Sequence, residues 1–216
     1  LLISPVLAVV AYNNLSTAII ILGIAVCMLF VASPKYLQFI LMGIGVCLFG
    51  ALFILLASYR AERVMIWLHP EDYEKGYQTL QGLYAIGSGG FFGKGLGNST
   101  QKLHAIPEAQ NDMILAVICE ELGVFGAILV LCLFAFMLYR LLFIARNAPD
   151  LYGSLIATGI FAHIALQVTL NIAVVTGLMP TTGVTLPFIS YGGTAIVILL
   201  AEMGIALGIS SKIRLK

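Results

Sequence analysis

The sequence predicts an all-α polytopic membrane protein: a helical bundle with a large extracellular loop and a re-entrant-like last outer loop. Three observations carry this expectation. Of 216 residues, 61% are hydrophobic and only 10% charged, against about 25% charged in soluble domains, and the mean hydropathy is +1.05. The apolar residues come in long unbroken runs rather than the short alternating segments of a barrel. A single polar stretch, 58–112, divides those runs into two groups. A soluble domain this apolar would expose patches that aggregate. In lipid the backbone must satisfy its own hydrogen bonds, and long runs do that as helices.

Taken in order, residues 1–11 form an apolar run containing Pro5, too short for the roughly twenty residues that a span needs. With no charged region ahead of it, it reads as the tail of a helix rather than a signal peptide, and the chain as a fragment of a larger membrane protein. Residues 15–32 are a span without a charge, and 36–57 are a second, after the polar break Ser33-Pro34-Lys35. The long apolar run from Met113 to Leu142 gives a span at 113–139, interrupted only by Glu120, Glu121 and Arg140. Pro149 breaks the chain before a span at 151–175, and the last span is 191–209. Together these form one membrane domain over 1–216 with six transmembrane segments, the first partial.

Basic residues in short loops set orientation. With the polar stretch outside, Lys35, Arg140, Arg146, Lys212, Arg214 and Lys216 lie inside against the single acid Asp150. The cytoplasm therefore holds the C-terminus. The net charge of +1 and the lack of a basic run argue against nucleic acid. Cys27, Cys47, Cys119 and Cys132 all sit in apolar runs and read as small buried hydrophobes.

Candidate chemistry clusters where the polar stretch meets the fourth span. Asp112 at that junction fits a helix N-cap and equally a general base for a hydroxyl. Glu120 and Glu121 lie about 12 Å further along the helix. Acids at that depth face a cavity or a partner. Glu120 falls roughly 80° from the direction of Asp112, and Glu121 points nearly opposite. Glu120 is therefore the candidate for a cavity near Asp112, and Glu121 for a pairing with another helix. The glycines at 87, 89, 90, 93, 95 and 97 lack the strand and the Gly-Lys-Ser/Thr of a nucleotide loop, and read as a tightly folded loop with close backbone approach. Lys94 and Lys102 are either solvated or placed to meet phosphates. Glu108, one helical turn from Asp112, could share a proton or cation with it. The histidines at 69, 104 and 163 show no metal-ligand spacing, and His163, in mid-span, suits a helix–helix hydrogen bond. The segment Gly177–Gly193, broken by Pro180 and Pro187, suits a cavity lining, with hydroxyls at Ser190, Tyr191 and, just past it, Thr194.

Four long motifs then carry a resemblance. They are Gly-Tyr-Gln-Thr-Leu-Gln (76–81), Gly-Ser-Gly-Gly-Phe-Phe-Gly-Lys-Gly-Leu-Gly-Asn-Ser-Thr-Gln-Lys-Leu (87–103), Pro-Glu-Ala-Gln-Asn-Asp-Met-Ile-Leu-Ala-Val-Ile-Cys-Glu-Glu-Leu-Gly (107–123) and Gly-Leu-Met-Pro-Thr-Thr-Gly-Val-Thr-Leu-Pro-Phe-Ile-Ser-Tyr-Gly-Gly (177–193). Asn-Asn-Leu-Ser-Thr-Ala (13–18) and Tyr-Arg-Ala-Glu-Arg (59–63) agree with them. Over the whole chain the sequence resembles the SEDS family, and its division and sporulation branches more than the elongation branch. The resemblance implies the C-terminal part of a bundle of about ten helices in the bacterial cell membrane, multi-pass and working at the division septum. It implies a peptidoglycan glycosyltransferase that polymerises lipid II together with a class B penicillin-binding protein and other division proteins. Asp112 matches the family's catalytic acid. Gln78, Lys94, Lys102, Glu108, Glu120 and Ser190 are the expected substrate-binding positions. No resident metal is implied with certainty; a divalent cation, Mg or Mn, would suit the leaving pyrophosphate. Two departures stand out: Gln110-Asn111 replaces the family's more usual His-Thr, and Gly82 follows Gln81 where Ser is common. Neither removes an acid or a base. A lipid II transporter and a non-catalytic scaffold are the competing classes, although no inverted repeat is visible.

Overall fold

The computed structural model describes residues 3–33, 43, 58–104, 106 and 108–213. Apart from Gly43, the expected span at 36–57, with Lys35 and Cys47, lies outside these residues, as do Arg214 and Lys216. The described residues form helices joined by turns and coil, with no strand among them. They divide into two compact units.

One unit comprises Leu1–Pro34, Leu129–Leu170 and Gly183–Lys216. Helix α1 (Ile3–Asn13) packs against α2 (Leu15–Ala32). Asn14 caps α2: its side chain accepts from the Thr17 N–H at 3.2 Å and satisfies one of the free donors of the first turn. The unit also takes the later part of α6 (Ile114–Asn147), most of α7 (Leu151–Val175) and all of α8 (Gly193–Ser210). Asp150 starts α7 by accepting from the Gly153 N–H at 3.0 Å. Ser154 donates to the carbonyl of Ala145 at 2.8 Å, tying the two ends of that connection together. Small residues set the helix spacing, since Gly23 faces Leu166 and Gly159 faces Met28.

The other unit comprises Lys35–Ile128 and Asn171–Thr182. The polar stretch inside it is mostly helical. It contains α3 (Ser58–Leu68), two single 3₁₀ turns at Pro70–Asp72 and Glu74–Gly76, α4 (Tyr77–Ser88) and the short α5 (Thr100–His104). Trp67 donates its indole N–H to the Gly177 carbonyl at 2.7 Å, and Arg63 donates to the Thr181 carbonyl at 3.2 Å. Those two bonds satisfy carbonyls that the irregular backbone after α7 leaves unpaired.

Helices α2, α6, α7 and α8 are long and apolar enough to cross a membrane. At 34 residues α6 is about 51 Å long, well beyond the roughly 30 Å of a hydrocarbon core. It is broken once, at Gly123, whose φ of 68° and ψ of −170° are open to glycine and strained for any other residue.

Candidate active site

Asp112 sits one residue before the carbonyl that opens α6, since Val117 N–H bonds back to Met113. Two side chains hold it. Gln78, on the first turn of α4, donates from Nε2 to Asp112 Oδ1 at 3.3 Å. Asn171, fully buried on α7, donates from Nδ2 to the Asp112 carbonyl at 2.8 Å and fixes the backbone there. Burial raises the pKa of Asp112 above the usual carboxylate value, with the charge of Glu108 adding to the rise. Its own backbone N–H and Gln78 oppose the rise without cancelling it. The result is a carboxylate that is positioned, partly desolvated and more basic than a surface aspartate, which is what a general base requires.

Glu108 lies in the turn leading into this site, at a positive φ of 50°. Its carboxylate accepts from Asn111 Nδ2 at 2.9 Å, and its carbonyl accepts from the Asn111 N–H. The side chain is exposed, so Glu108 acts on Asp112 through its charge.

Glu120 is in the opposite condition. It is completely buried, and its two oxygens collect Ser88 Oγ (3.4 Å), Lys94 Nζ (2.6 Å), Ser99 Oγ (2.5 Å), Thr100 Oγ1 (2.9 Å) and the backbone N–H groups of Thr100 and Gln101 (both 3.3 Å). The two N–H groups belong to the first turn of α5, so the carboxylate caps that helix from outside. Ser99 also accepts from the Lys102 N–H at 3.0 Å, the usual N-cap bond. Glu121 pairs with Lys102 Nζ at 3.6 Å.

The glycine-rich loop explains why these groups meet. The break at Gly123 leaves helix carbonyls and N–H groups without helical partners. Lys94 N–H bonds to the Glu120 carbonyl and Gly95 N–H to that of Glu121, both at 2.9 Å; Val124 and Phe125 N–H bond to the carbonyls of Gly90 and Phe91. The loop thus fills the gap in the helix. A Cβ on Gly89, Gly93 or Gly123 would strike backbone across this contact. The Lys94 and Gly95 N–H groups serve α6, so the loop is a splice rather than a phosphate cradle.

The expected site residues therefore separate into groups. Asp112, Gln78 and Glu108 share one site. Lys94 and Glu120 bind each other rather than opening toward Asp112, and Lys102 binds Glu121. Ser190 lies in the other unit and is buried; its hydroxyl accepts from the Leu186 N–H at 2.8 Å and closes a turn in which Phe188 has a φ of 65°. His163 meets Glu202, its Nδ1 lying 3.0 Å from both carboxylate oxygens. Two residues were not foreseen in these roles: Asn171 as a clamp on the Asp112 carbonyl, and Glu202 as the partner of His163. Glu202 carried a usable signal, since a lone acid in an apolar run calls for a partner.

An α-helical fold with four apolar helices among the described residues, and a desolvated acid at the head of one of them, defines a multi-pass membrane protein with a built polar site. The chain belongs to the Cell cycle protein family of FtsW, RodA and SpoVE, whose model matches residues 1–215; this is the SEDS family that the motifs resemble. It is 45% identical over 210 residues to stage V sporulation protein E of Bacillus subtilis, covering 96% of this chain and 57% of that protein. A probable peptidoglycan glycosyltransferase FtsW of Geobacter sp. strain M18 is 39% identical over 94% of this chain and 56% of its own length. The FtsW of Bacillus subtilis is 52% identical over 135 residues, 62% of this chain and 34% of that one. The chain thus spans little more than half the length of the first two. A solved structure described as a peptidoglycan synthase complex that coordinates polymerisation and crosslinking matches 98% of this chain and 60% of its own, with a TM-score of 0.76 and 27% identity.

Proposed function

We propose that the protein is a peptidoglycan glycosyltransferase that polymerises lipid II into β-1,4 glycan strands, with Asp112 as general base. The observation that carries this reading is the state of Asp112, which is held by Gln78, fixed through its carbonyl by Asn171 and made more basic by burial. The donor sugar leaves with a lipid pyrophosphate, already a good leaving group. What the protein must add is removal of the proton from the attacking 4-hydroxyl of the acceptor GlcNAc. Asp112 takes that proton as the oxygen bonds to the donor's anomeric carbon and the bond to pyrophosphate breaks. Attack from the opposite face turns an α-linked donor into a β linkage.

In this reading Lys102, half exposed at its side chain, meets the departing charge. Glu108 and Asp112 repel each other across their turn and offer hard oxygen ligands of the kind that Mg or Mn takes. A divalent cation held at the exposed Glu108 carboxylate, leaving Asp112 free as the base, would neutralise pyrophosphate. Gln78, Glu108 and Lys102 remain proposed substrate contacts; Lys94, Glu120 and Ser190 act in this reading through the structures they brace. The six-segment organisation with the outer loop at 58–112, the cytoplasmic C-terminus, action at the septum and partnership with a class B penicillin-binding protein and other division proteins belong to the same proposal. The names of the relatives and of the matched complex support it.

The test is the full-length protein with its transpeptidase partner on fluorescent lipid II, with moenomycin present to silence other polymerases. Asp112→Asn is expected to give no glycan ladder. Normal ladders from that variant would overturn the assignment. Lipid II movement across vesicles without polymer from the unmodified protein would favour a transporter instead.

A further inference from the structure

Exposure along α6 changes abruptly at its break. Before Gly123, Met113, Leu115, Ala116, Val117, Glu120 and Glu121 are all buried. After it, Val124, Phe125, Ile128, Leu133, Phe136 and Tyr139 are each 47–63% exposed. Beyond the break α6 keeps one packed face, with Gly126, Phe134 and Leu141 buried, and turns the other outward as an apolar surface. The apolar run from Leu122 to Tyr139 is about 27 Å long, close to one hydrocarbon thickness. A hydrocarbon layer matched to that run would have its edge at Gly123.

The glycine-rich loop is bonded to α6 at that same level, through Gly90 and Phe91 on one side and Lys94 and Gly95 on the other. Between those bonds, or just past them, it turns three large apolar side chains outward. Phe91 is 60%, Phe92 79% and Leu96 77% exposed, and the two phenyl rings meet edge to face, 4.9 Å between centroids. The polar side chains of the loop, Lys94, Ser99 and Thr100, turn the other way onto Glu120. The loop is thus amphipathic. Its apolar side continues the exposed face of α6, where Phe125 N–H is bonded to the Phe91 carbonyl.

We infer that Phe91, Phe92 and Leu96 are a lipid-contacting tip, seated in the boundary between headgroups and acyl chains on that side of the bilayer. The occupant is bulk lipid, because the patch joins the part of α6 whose exposed residues already need it. Aromatic and aliphatic side chains at that depth anchor what carries them. The tip would hold the loop, and the Glu120 cluster beneath it, at a fixed depth. This inference rests on the membrane placement alone and survives failure of the glycosyltransferase reading.

The test is nitroxide accessibility in the full-length protein, reconstituted in liposomes with its native cysteines replaced by alanine. Spin labels go at Phe92→Cys, Leu96→Cys and, for comparison, Asn98→Cys, whose side chain is exposed and polar. The ratio of oxygen to nickel-chelate collision should be severalfold higher at 92 and 96 than at 98. Equal nickel access at all three positions places the tip in water and overturns the inference. Low access to both reagents at 92 and 96 means that protein covers the tip, and overturns it as well. Quenching of a Phe92→Trp indole by brominated lipid must agree with the nitroxide result.

Discussion

Asp112 and Glu120 are carboxylates eight residues apart in the sequence, and their surroundings are opposite. Glu120 has no solvent exposure and receives six donors, one of them a lysine ammonium. Asp112 is only partly buried and receives one long side-chain bond from Gln78, beside its own N–H. A carboxylate with every lone pair engaged has nothing left with which to take a proton and serves as a pin. One that has lost water without gaining enough donors stays basic. Under the proposed function, donor supply rather than burial is what would separate a structural acid from a chemical one.

The comparison breaks most sharply at Asp112. Asp112→Asn should lower polymerisation by about 10²–10⁴-fold, the usual contribution of a positioned base. The same variant should melt no lower than the unmodified protein. A carboxylate with a raised folded-state pKa adds stability below its unfolded pKa and loses it as pH rises through the folded one. At neutral pH the charge is thus a burden on the fold, and the neutral amide removes it. A large fall in melting temperature would move Asp112 into the structural class.

Glu120 should behave in the reverse way. Glu120→Ala leaves Lys94 and the first turn of α5 without their anion, and Lys94→Ala leaves a buried carboxylate without its cation. Because Lys94 is a third exposed, either single variant should cost less than the roughly 3–5 kcal/mol of a fully buried pair, still readable as a lower melting temperature in detergent. The double variant Lys94→Met/Glu120→Met should recover part of that loss. If either single variant keeps full stability and loses only turnover, Glu120 belongs with Asp112.

Gly123→Ala tests the splice beneath both acids. A Cβ there meets the Gly93 N–H and the Phe91 carbonyl, at a φ that alanine disfavours. The expected loss is about 1–3 kcal/mol, with protection of the Lys94 and Gly95 amides from hydrogen exchange falling selectively.

How much of this was legible in the sequence follows from what each feature depends on. The membrane class rests on summed composition, and no single contact can reverse it. The position of Asp112 at the head of an apolar helix was visible because the chain changes from polar to apolar there. The tight packing of the glycine loop was visible in the spacing of its glycines, but the break it fills was not. Cys119-Glu120-Glu121-Leu122-Gly123 reads as continuing helix, because one glycine costs a helix only about 1 kcal/mol. The fate of Glu120 depended on Lys94 and Ser99, more than twenty residues away, and that of His163 on Glu202, across 39 residues. Helical periodicity carries no information about such pairs. Helix geometry alone points Glu120 toward a cavity near Asp112; the loop that packs on the helix encloses it instead.

The finest test of the comparison is to change the supply of charge and donors at Asp112 without touching it. Glu108 raises the pKa of Asp112 through its charge, and the Gln78 bond lowers it. The acid limb of polymerisation should therefore move in opposite directions in two variants. In Glu108→Gln the repulsion is gone, Asp112 stays ionised to lower pH, and the limb shifts down. In Gln78→Leu the donor is gone, Asp112 protonates more easily, and the limb shifts up. Both shifts should be small beside the loss in Asp112→Asn, and they are read from kcat/KM against pH on fluorescent lipid II. A limb that stays put in both variants would mean that a group other than Asp112 titrates there.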